Sequence, residues 1–293
     1  MRIISLLPSA TEILFAIGAG DDVVGVTFEC DFPSEARQRR IVSTSAIPAA
    51  LTAAEIDAHV SGAMSRGEDL YHLDEGAFAG LDADLVVTQD LCAVCAVDVS
   101  VVEDALAHLG CTADVLTLDP HTLAEVAESV QALGEATGHT DTATELLAEI
   151  ERRLAAVRES VAGLPRRRVV VLEWADPPFA PGHWVPEMVR AAGGEPVLGR
   201  AGAKSYRVTW DDVRSAAPEL VVCAPCGYDL DGAVREAGAV VRQLPEDVPV
   251  WAVDANASYA RPGPRLVDGI ETLARILHPE TGTPSATSAE RSS

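Results

Sequence analysis

The chain predicts an α/β fold with mostly parallel sheets arranged in two lobes, and three observations carry the prediction. Apolar runs of strand length alternate with runs of helical period, the pattern of a parallel sheet covered by helices on both faces. The alternation stops in the middle of the chain, where two helical stretches follow each other without a strand, and resumes after Pro165. Each half also sends an apolar run into a thiol-bearing loop. Leu85-Val86-Val87-Thr88 is followed by Cys92-Ala93-Val94-Cys95, and Leu220-Val221-Val222 runs straight into Cys223-Ala224-Pro225-Cys226. Ligands of open α/β sheets bind outside the carboxyl ends of the strands, so thiols placed there in both halves suggest a site between two lobes.

The elements follow in order. Ile3 to Leu7 is the first strand, and Ser9-Ala10-Thr11-Glu12 reads as a capping box opening a helix that stops at Gly18 or Gly20. Val23 to Val26 is a strand running out at Glu29-Cys30-Asp31. Thr52-Ala53-Ala54-Glu55 opens a further helix, and Val115 to Leu118 is a short strand. Thr122-Leu123-Ala124-Glu125 and Thr142-Ala143-Thr144-Glu145 cap the two central helices. In the second of these, Leu146, Leu147, Ile150, Leu154 and Val157 recur at the helical period. After Val169 to Leu172 comes a loop rich in proline and aromatics, from Glu173 to Trp184, and Pro186 suits the first turn of the next helix. Strands at Leu220 to Val222 and Val250 to Val253 precede a last helix, Leu266 to Leu277. The expected organisation is an N-terminal lobe over residues 1–120, a connecting helical segment over 121–164, a C-terminal lobe over 165–278 and a disordered Ser/Thr/Pro-rich tail over 279–293.

Composition narrows the function. The formal net charge is −23 and the hydrophobic content 48%, so a core can form but nucleic acid is an unfavourable partner. The basic cluster Arg166-Arg167-Arg168 sits just before a strand, where a solvated face explains it. No apolar stretch approaches the ~20 residues that span a bilayer, so membrane insertion is not expected. Met1 and Arg2 lead directly into a strand pattern with no secretory leader, which gives a cytoplasmic expectation. In a reducing compartment, six cysteines are expected to be ligands, redox groups or buried thiols rather than disulfides. Walker-type glycine loops, Gly-x-Ser-x-Gly and His-Glu-x-x-His are absent from the sequence, which leaves nucleotide and serine hydrolysis without support.

The run Arg2-Ile3-Ile4-Ser5-Leu6-Leu7-Pro8-Ser9-Ala10-Thr11-Glu12-Ile13, followed by Gly18-Ala19-Gly20-Asp21-Asp22-Val23-Val24-Gly25-Val26, resembles the start of the cobalamin- and siderophore-binding receptors of ABC transporters, the class III periplasmic binding proteins. Glu187-Met188-Val189-Arg190-Ala191-Ala192-Gly193-Gly194 and Ala217-Pro218-Glu219-Leu220-Val221-Val222 extend the resemblance over most of residues 1–278. It implies two Rossmann-like lobes joined by a long rigid backbone helix, with a small-molecule ligand, cobalamin or a related corrinoid, in the cleft between them. The thiol loops, with Glu29-Cys30-Asp31-Phe32-Pro33, resemble a subgroup labelled cobalamin-binding that lacks an obvious leader, which counts against an ABC transporter partner.

Two constellations carry chemistry. Trp174, Phe179, His183 and Trp184, with Tyr206, Tyr259 and Arg261, supply ring faces for a flat ligand and a guanidinium for a carboxylate; local packing and a surface ion pair are the plainer explanations. Cys30, Cys92, Cys95 and Cys226 are candidate thiolate ligands for an iron–sulfur cluster or zinc; buried thiols are the plainer explanation. Two functions therefore stay open: a cytosolic receptor-like protein for a corrinoid or other metal-bearing ligand, and a metalloenzyme whose cysteines hold a cluster or metal.

Overall fold

The computed structural model describes residues 1–48, 51–66, 68, 70–73, 76–89, 113–282 and 289–292. The chain opens with β1 (Ile3–Ser5), α1 (Pro8–Ala16), β2 (Val23–Val26), β3 (Arg40–Ile41), β4 (Ser43–Ser45), α2 (Ala53–Arg66), β5 (Tyr71–Leu73), β6 (Leu85–Thr88) and β7 (Asp114–Thr117). Two helices follow, α3 (Leu123–Thr137) and α4 (Thr140–Ser160). The main sheet here has the order β3-β2-β1-β6-β7 with every pairing parallel, so the strand order reverses between β1 and β6. Successive strand residues point to opposite faces, and both faces are covered: Ile3 joins the core under α1, while its neighbour Ile4 packs with Val42, Phe78 and Leu81. That double burial is why β1 and β6 read as unbroken apolar runs.

The helix starts separate local chemistry from tertiary context. Thr52 and Glu55 form the expected reciprocal cap of α2, with the Glu55 N–H donating to Thr52 Oγ1 at 3.4 Å and the Thr52 N–H to Glu55 Oε2 at 2.8 Å. Thr122 and Glu125 do the same for α3. Ser9 caps nothing: α1 begins one residue earlier, at Pro8, whose fixed φ and missing N–H suit a first helical position. Thr142 also lies inside its helix, and its hydroxyl donates to the Ile17 carbonyl at 2.6 Å. Gly138 (φ 74) ends α3, and Gly134 lets α3 approach α4 closely: a Cβ there would lie 2.5 Å from that of Ala143.

The second half contains β8 (Arg168–Leu172), β9 (Trp174–Ala175), β10 (Pro178–Ala180), α5 (Val185–Ala191), β11 (Glu195–Pro196), β12 (Tyr206–Arg207), α6 (Trp210–Ser215), β13 (Leu220–Cys223), α7 (Leu230–Val241), β14 (Val250–Val253), α8 (Ala255–Ser258), α9 (Leu266–Leu277) and β15 (Ala289–Ser292). Its main sheet runs β11-β8-β13-β14-β15, parallel except for β15, and a small antiparallel sheet runs β12-β10-β9. Again both faces are buried: Val169 and Val171 enter one core, Val170 and Leu172 the other. Thr209 and Asp212 form a capping box on α6 that the sequence reading missed.

Two expectations change. The described chain divides into Met1–Asp119 with Ala127–Leu147, and Pro120–Val126 with Ala148–Ser293, so residues 121–164 are apportioned rather than separate. The packing explains it: Val130, Leu133 and Ala143 belong to the first unit's core, Val126 and Val157 to the second's. Arg153 fixes the second part of α4 to α9, donating to Glu271 Oε2 and Asp268 Oδ1, each at 2.6 Å. These carboxylates, Glu271 foremost, hold the Arg153 pKa above its ordinary value. The tail over 279–293 is not wholly without structure. Pro279–Thr281 forms a 3-10 turn, and Ala289–Ser292 adds an antiparallel edge strand, with Trp251 opposite Arg291. Main-chain bonds to an open sheet edge need no apolar side chains, and so composition does not reveal them. Among the described residues no helix is long and apolar enough to cross a membrane.

Candidate functional site

In the second unit the strand order reverses around β8, with β11 on one side and β13 on the other. The carboxyl ends of β8 and β13 therefore flank the crevice where such sheets take ligands. Backbone bonds tie the two exits together. The Ala224 N–H donates to the Leu172 carbonyl at 2.9 Å and the Cys226 N–H to the Glu173 carbonyl at 3.0 Å. Trp174, one residue past Glu173, meets Tyr228, beyond the Cys-x-x-Cys, with ring centroids 5.6 Å apart and planes inclined by 62°. Trp174 Nε1 donates to the Asp176 carbonyl at 3.0 Å, so its polar atom is satisfied while the half-buried ring keeps an open part.

The small sheet extends this surface. Residues directly opposite in an antiparallel pair share a face, and the register sets Trp174 opposite Phe179 and Phe179 opposite Arg207. The Arg207 guanidinium lies over the Phe179 ring at 5.6 Å from its centroid. On the other face Ala175, Ala180 and Tyr206 pack into the core. Phe179, Trp174 and Tyr228 thus form a half-exposed aromatic row with Arg207 at one end.

Behind the row, Glu173 receives the Gly182 N–H on Oε1 at 3.4 Å and bonds to the Ser205 side chain; burial, outweighing these partners, pushes its carboxyl up to about 7. Gly182 has no room for a side chain, since a Cβ would lie 2.2 Å from the Ala203 carbonyl oxygen. His183 adopts φ 47, held by its N–H to the Ala203 carbonyl at 2.6 Å and by the Gly202 N–H to its own carbonyl at 3.0 Å. Its ring stacks between Trp184 and His121, with centroids 5.4 and 5.6 Å away. Strained backbone of this kind collects at functional loops.

The expected ligand residues therefore divide. Trp174 and Phe179 carry accessible faces, and His183 is half-buried between rings. Trp184 and Tyr259 are core: Trp184 Nε1 donates to the Tyr259 carbonyl at 2.8 Å, and the Tyr259 hydroxyl to the Gly269 carbonyl at 3.3 Å. Their rings are offered to the interior because both polar tips are used there. Tyr206 faces the core with its ring under Arg200, while Arg207, one position on, faces out. Arg261 is half-buried before α9, apart from the aromatic row in sequence. Arg207 and Tyr228 were missed; the period-two alternation of Tyr206-Arg207-Val208 was the available signal for the first.

The thiols divide as well. Cys92 and Cys95 lie outside the described residues, and Cys30 and Cys226 belong to different units. Cys30 is buried with its sulfur 3.1 Å from Thr11 Oγ1 and 3.3 Å from Thr27 Oγ1. Cys226 is exposed, and Cys223 is buried, its thiol pushed up to about 12 by burial and by Glu236. Among the described residues, no group of three or more His, Cys, Asp or Glu side chains gathers at metal-binding spacing.

Residues 3–252 match the family model described as periplasmic binding protein. An uncharacterized ABC transporter substrate-binding lipoprotein, YvrC, of Bacillus subtilis is 25% identical over 292 residues, covering 96% of this chain and 81% of that protein. A vitamin B12-binding protein of Vibrio cholerae is 24% identical over 292 residues, covering 94% and 88%. Among solved structures, a periplasmic heme-binding protein from Pseudomonas aeruginosa superposes with a TM-score of 0.73 at 16% identity, over 100% of this chain and 98% of that one; it shares the fold.

Proposed function

This chain belongs to the periplasmic binding protein family, and on that premise we propose that it is a receptor for a corrinoid, held in part against the aromatic row at the carboxyl ends of β8 and β13. The observation that carries the proposal is the placement of Trp174 and Tyr228 side by side at the point where the strand order reverses. The similarity to a vitamin B12-binding protein favours a corrinoid among the ligands of this fold.

The chemistry required is binding rather than bond-making. A corrinoid presents a broad ring edged with amides, and half-exposed indole and phenyl faces give it apolar contact at small conformational cost. The backbone bonds that join Glu173, Phe179 and Cys226 hold the rings in place before the ligand arrives, which lowers the ordering cost of binding. A cytosolic location is a separate proposal, checked by fractionation of cells producing the full-length protein.

Calorimetric titration of the whole chain with cyanocobalamin tests the reading. One-to-one binding is the expected result; absence of heat and of spectral change at millimolar ligand overturns it.

A further inference from the structure

We propose that the outer edge of β14 is a dimerisation strand, self-complementary about a two-fold axis through Trp251, and that β15 covers it in the single chain. The partner is a second copy of this chain, and the inference does not depend on the identity of the ligand.

The first argument is which backbone groups face outward. The Val221 N–H donates to the Pro249 carbonyl at 2.9 Å, in the parallel pairing that sets Val221 beside Val250. Backbone groups alternate in direction along a strand, so those of Pro249, Trp251 and Val253 turn to β13 and those of Val250 and Ala252 to the outer edge. There Ser292 stands opposite Val250 and Glu290 opposite Ala252. A two-fold axis normal to the sheet keeps each face on its own side. It pairs two copies of β14 with Val250 opposite the partner's Ala252 and Trp251 opposite the partner's Trp251. The outward groups then meet in hydrogen-bonded pairs on either side of a close tryptophan pair.

The second argument is that β15 is the poorer partner. It sets Ser292 against Val250, Arg291 against Trp251, Glu290 against Ala252 and Ala289 against Val253. Glu290 and Arg291 are exposed, and Ala289 is the residue of this strand that packs against a core. Ser292 Oγ is buried without a hydrogen-bond partner, which costs stability. Cross-strand aromatic pairs are worth more than such polar-on-apolar pairs. Val250-Trp251-Ala252-Val253 is apolar throughout, the kind of edge that pairs unless it is covered. The sheet order ends β13-β14-β15, so β14 becomes the edge once β15 leaves. The charged residues of β15, facing solvent, discourage further pairing while it is in place. Strands this short bury less than the ~1,200 Å² of a stable interface. Association is therefore weak, with a dissociation constant on the order of 100 µM.

The test is analytical ultracentrifugation of the full chain and of a chain ending at Gly282, each from about 10 µM to about 1 mM. The full chain should stay monomeric, and the shortened chain should pass from monomer to dimer across that range. Hydrogen exchange should show the Val250 and Ala252 amides of the shortened chain becoming protected as the dimer forms. Trp251→Lys in the shortened chain should return it to monomer, with melting curves showing the variant folded. Glu290→Pro in the full chain removes a main-chain donor opposite Ala252 and should produce the same dimer, which serves where the shortened chain does not fold. A folded shortened chain, or a folded Glu290→Pro protein, that stays monomeric at the highest concentration overturns the proposal. So does a dimer whose β14 amides exchange as fast as those of the monomer. Equal dimerisation of the full chain overturns the covering role of β15.

Discussion

At the carboxyl end of β1, Thr11 donates to Ser5 Oγ and meets the buried Cys30 sulfur, which Thr27 reaches from the exit of β2. At the carboxyl end of β8, Trp174 leaves its ring half-exposed beside Phe179 and Tyr228. Both places lie where a parallel sheet reverses its strand order, and both halves bury their central strands on two faces. Yet one is finished with hydroxyls bonded to one another and to the thiol, and the other with ring faces, the Trp174 indole N–H being taken by a backbone carbonyl. A buried polar cluster gains stability from being complete. An apolar face left partly open gains nothing until something covers it. The fold supplies the position in both units, and the side chains decide whether that position is packed or available. Phe28 and Phe32 show that the first unit also exposes rings, on the loop after β2 to either side of Cys30.

The sharpest way to break the comparison is within the second unit, between two tryptophans of one loop. Trp184→Ala removes a buried ring and its bond to the Tyr259 carbonyl. Urea denaturation should show a loss of about 3–5 kcal/mol, the range for deleting a core aromatic. Trp174→Ala should change stability by no more than about 0.5 kcal/mol, as surface substitutions do. Equal losses would erase the distinction between packed and available.

The first unit gives a smaller effect. Cys30→Ala removes a polar partner from the hydroxyls of Thr11 and Thr27. The expected destabilisation is about 1–3 kcal/mol, near the lower end because Thr11 Oγ1 keeps Ser5 Oγ and the Leu7 carbonyl within reach. A variant as stable as the wild type would show that the cluster does not depend on the thiol.

Glu173 extends the comparison to pH. Its folded pKa lies near 7, above the ordinary 4.5, because burial disfavours the charged form. Relative to the unfolded chain, the protonated form is favoured in the fold. Its contribution is full below pH ~4.5 and is lost as pH rises through ~7. The melting temperature of the wild type should therefore fall between pH 5 and 8 relative to Glu173→Gln, whose side chain does not titrate. Parallel melting curves for the two proteins across that window would contradict the burial argument. Thr209→Ala removes the α6 cap and should cost about 1 kcal/mol by urea denaturation without altering ligand affinity.

Much of the fold is legible in the sequence because its signals are local or strongly periodic. Ile3-Ile4 and Val169-Val170-Val171-Leu172 read as strands buried on both faces, and the Thr52 and Thr122 caps lie where the spacing places them. Ser9 misleads because Pro8 starts the helix first. Thr142 misleads because the Ile17 carbonyl, distant in sequence, takes its hydroxyl. The edge strand β15 is illegible because its pairing uses backbone atoms common to every residue. The site was half legible. Composition identifies Trp174 and Phe179 as rings in a proline-rich loop but cannot tell them from Trp184, whose indole N–H is used by the carbonyl of Tyr259, 75 residues away. Tyr206 and Arg207 exchange roles through strand parity alone, which is fixed only once the pairing with Phe179 and Ala180 is known.

The central claim is that the row at the carboxyl ends of β8 and β13 is where ligand is held. Equilibrium titration of cyanocobalamin into wild-type protein and into Trp174→Ala tests it most directly. An anchoring aromatic is worth at least about 2 kcal/mol, roughly thirtyfold in affinity. The account predicts that loss in a variant that melts with the wild type. Undiminished affinity in Trp174→Ala would contradict it.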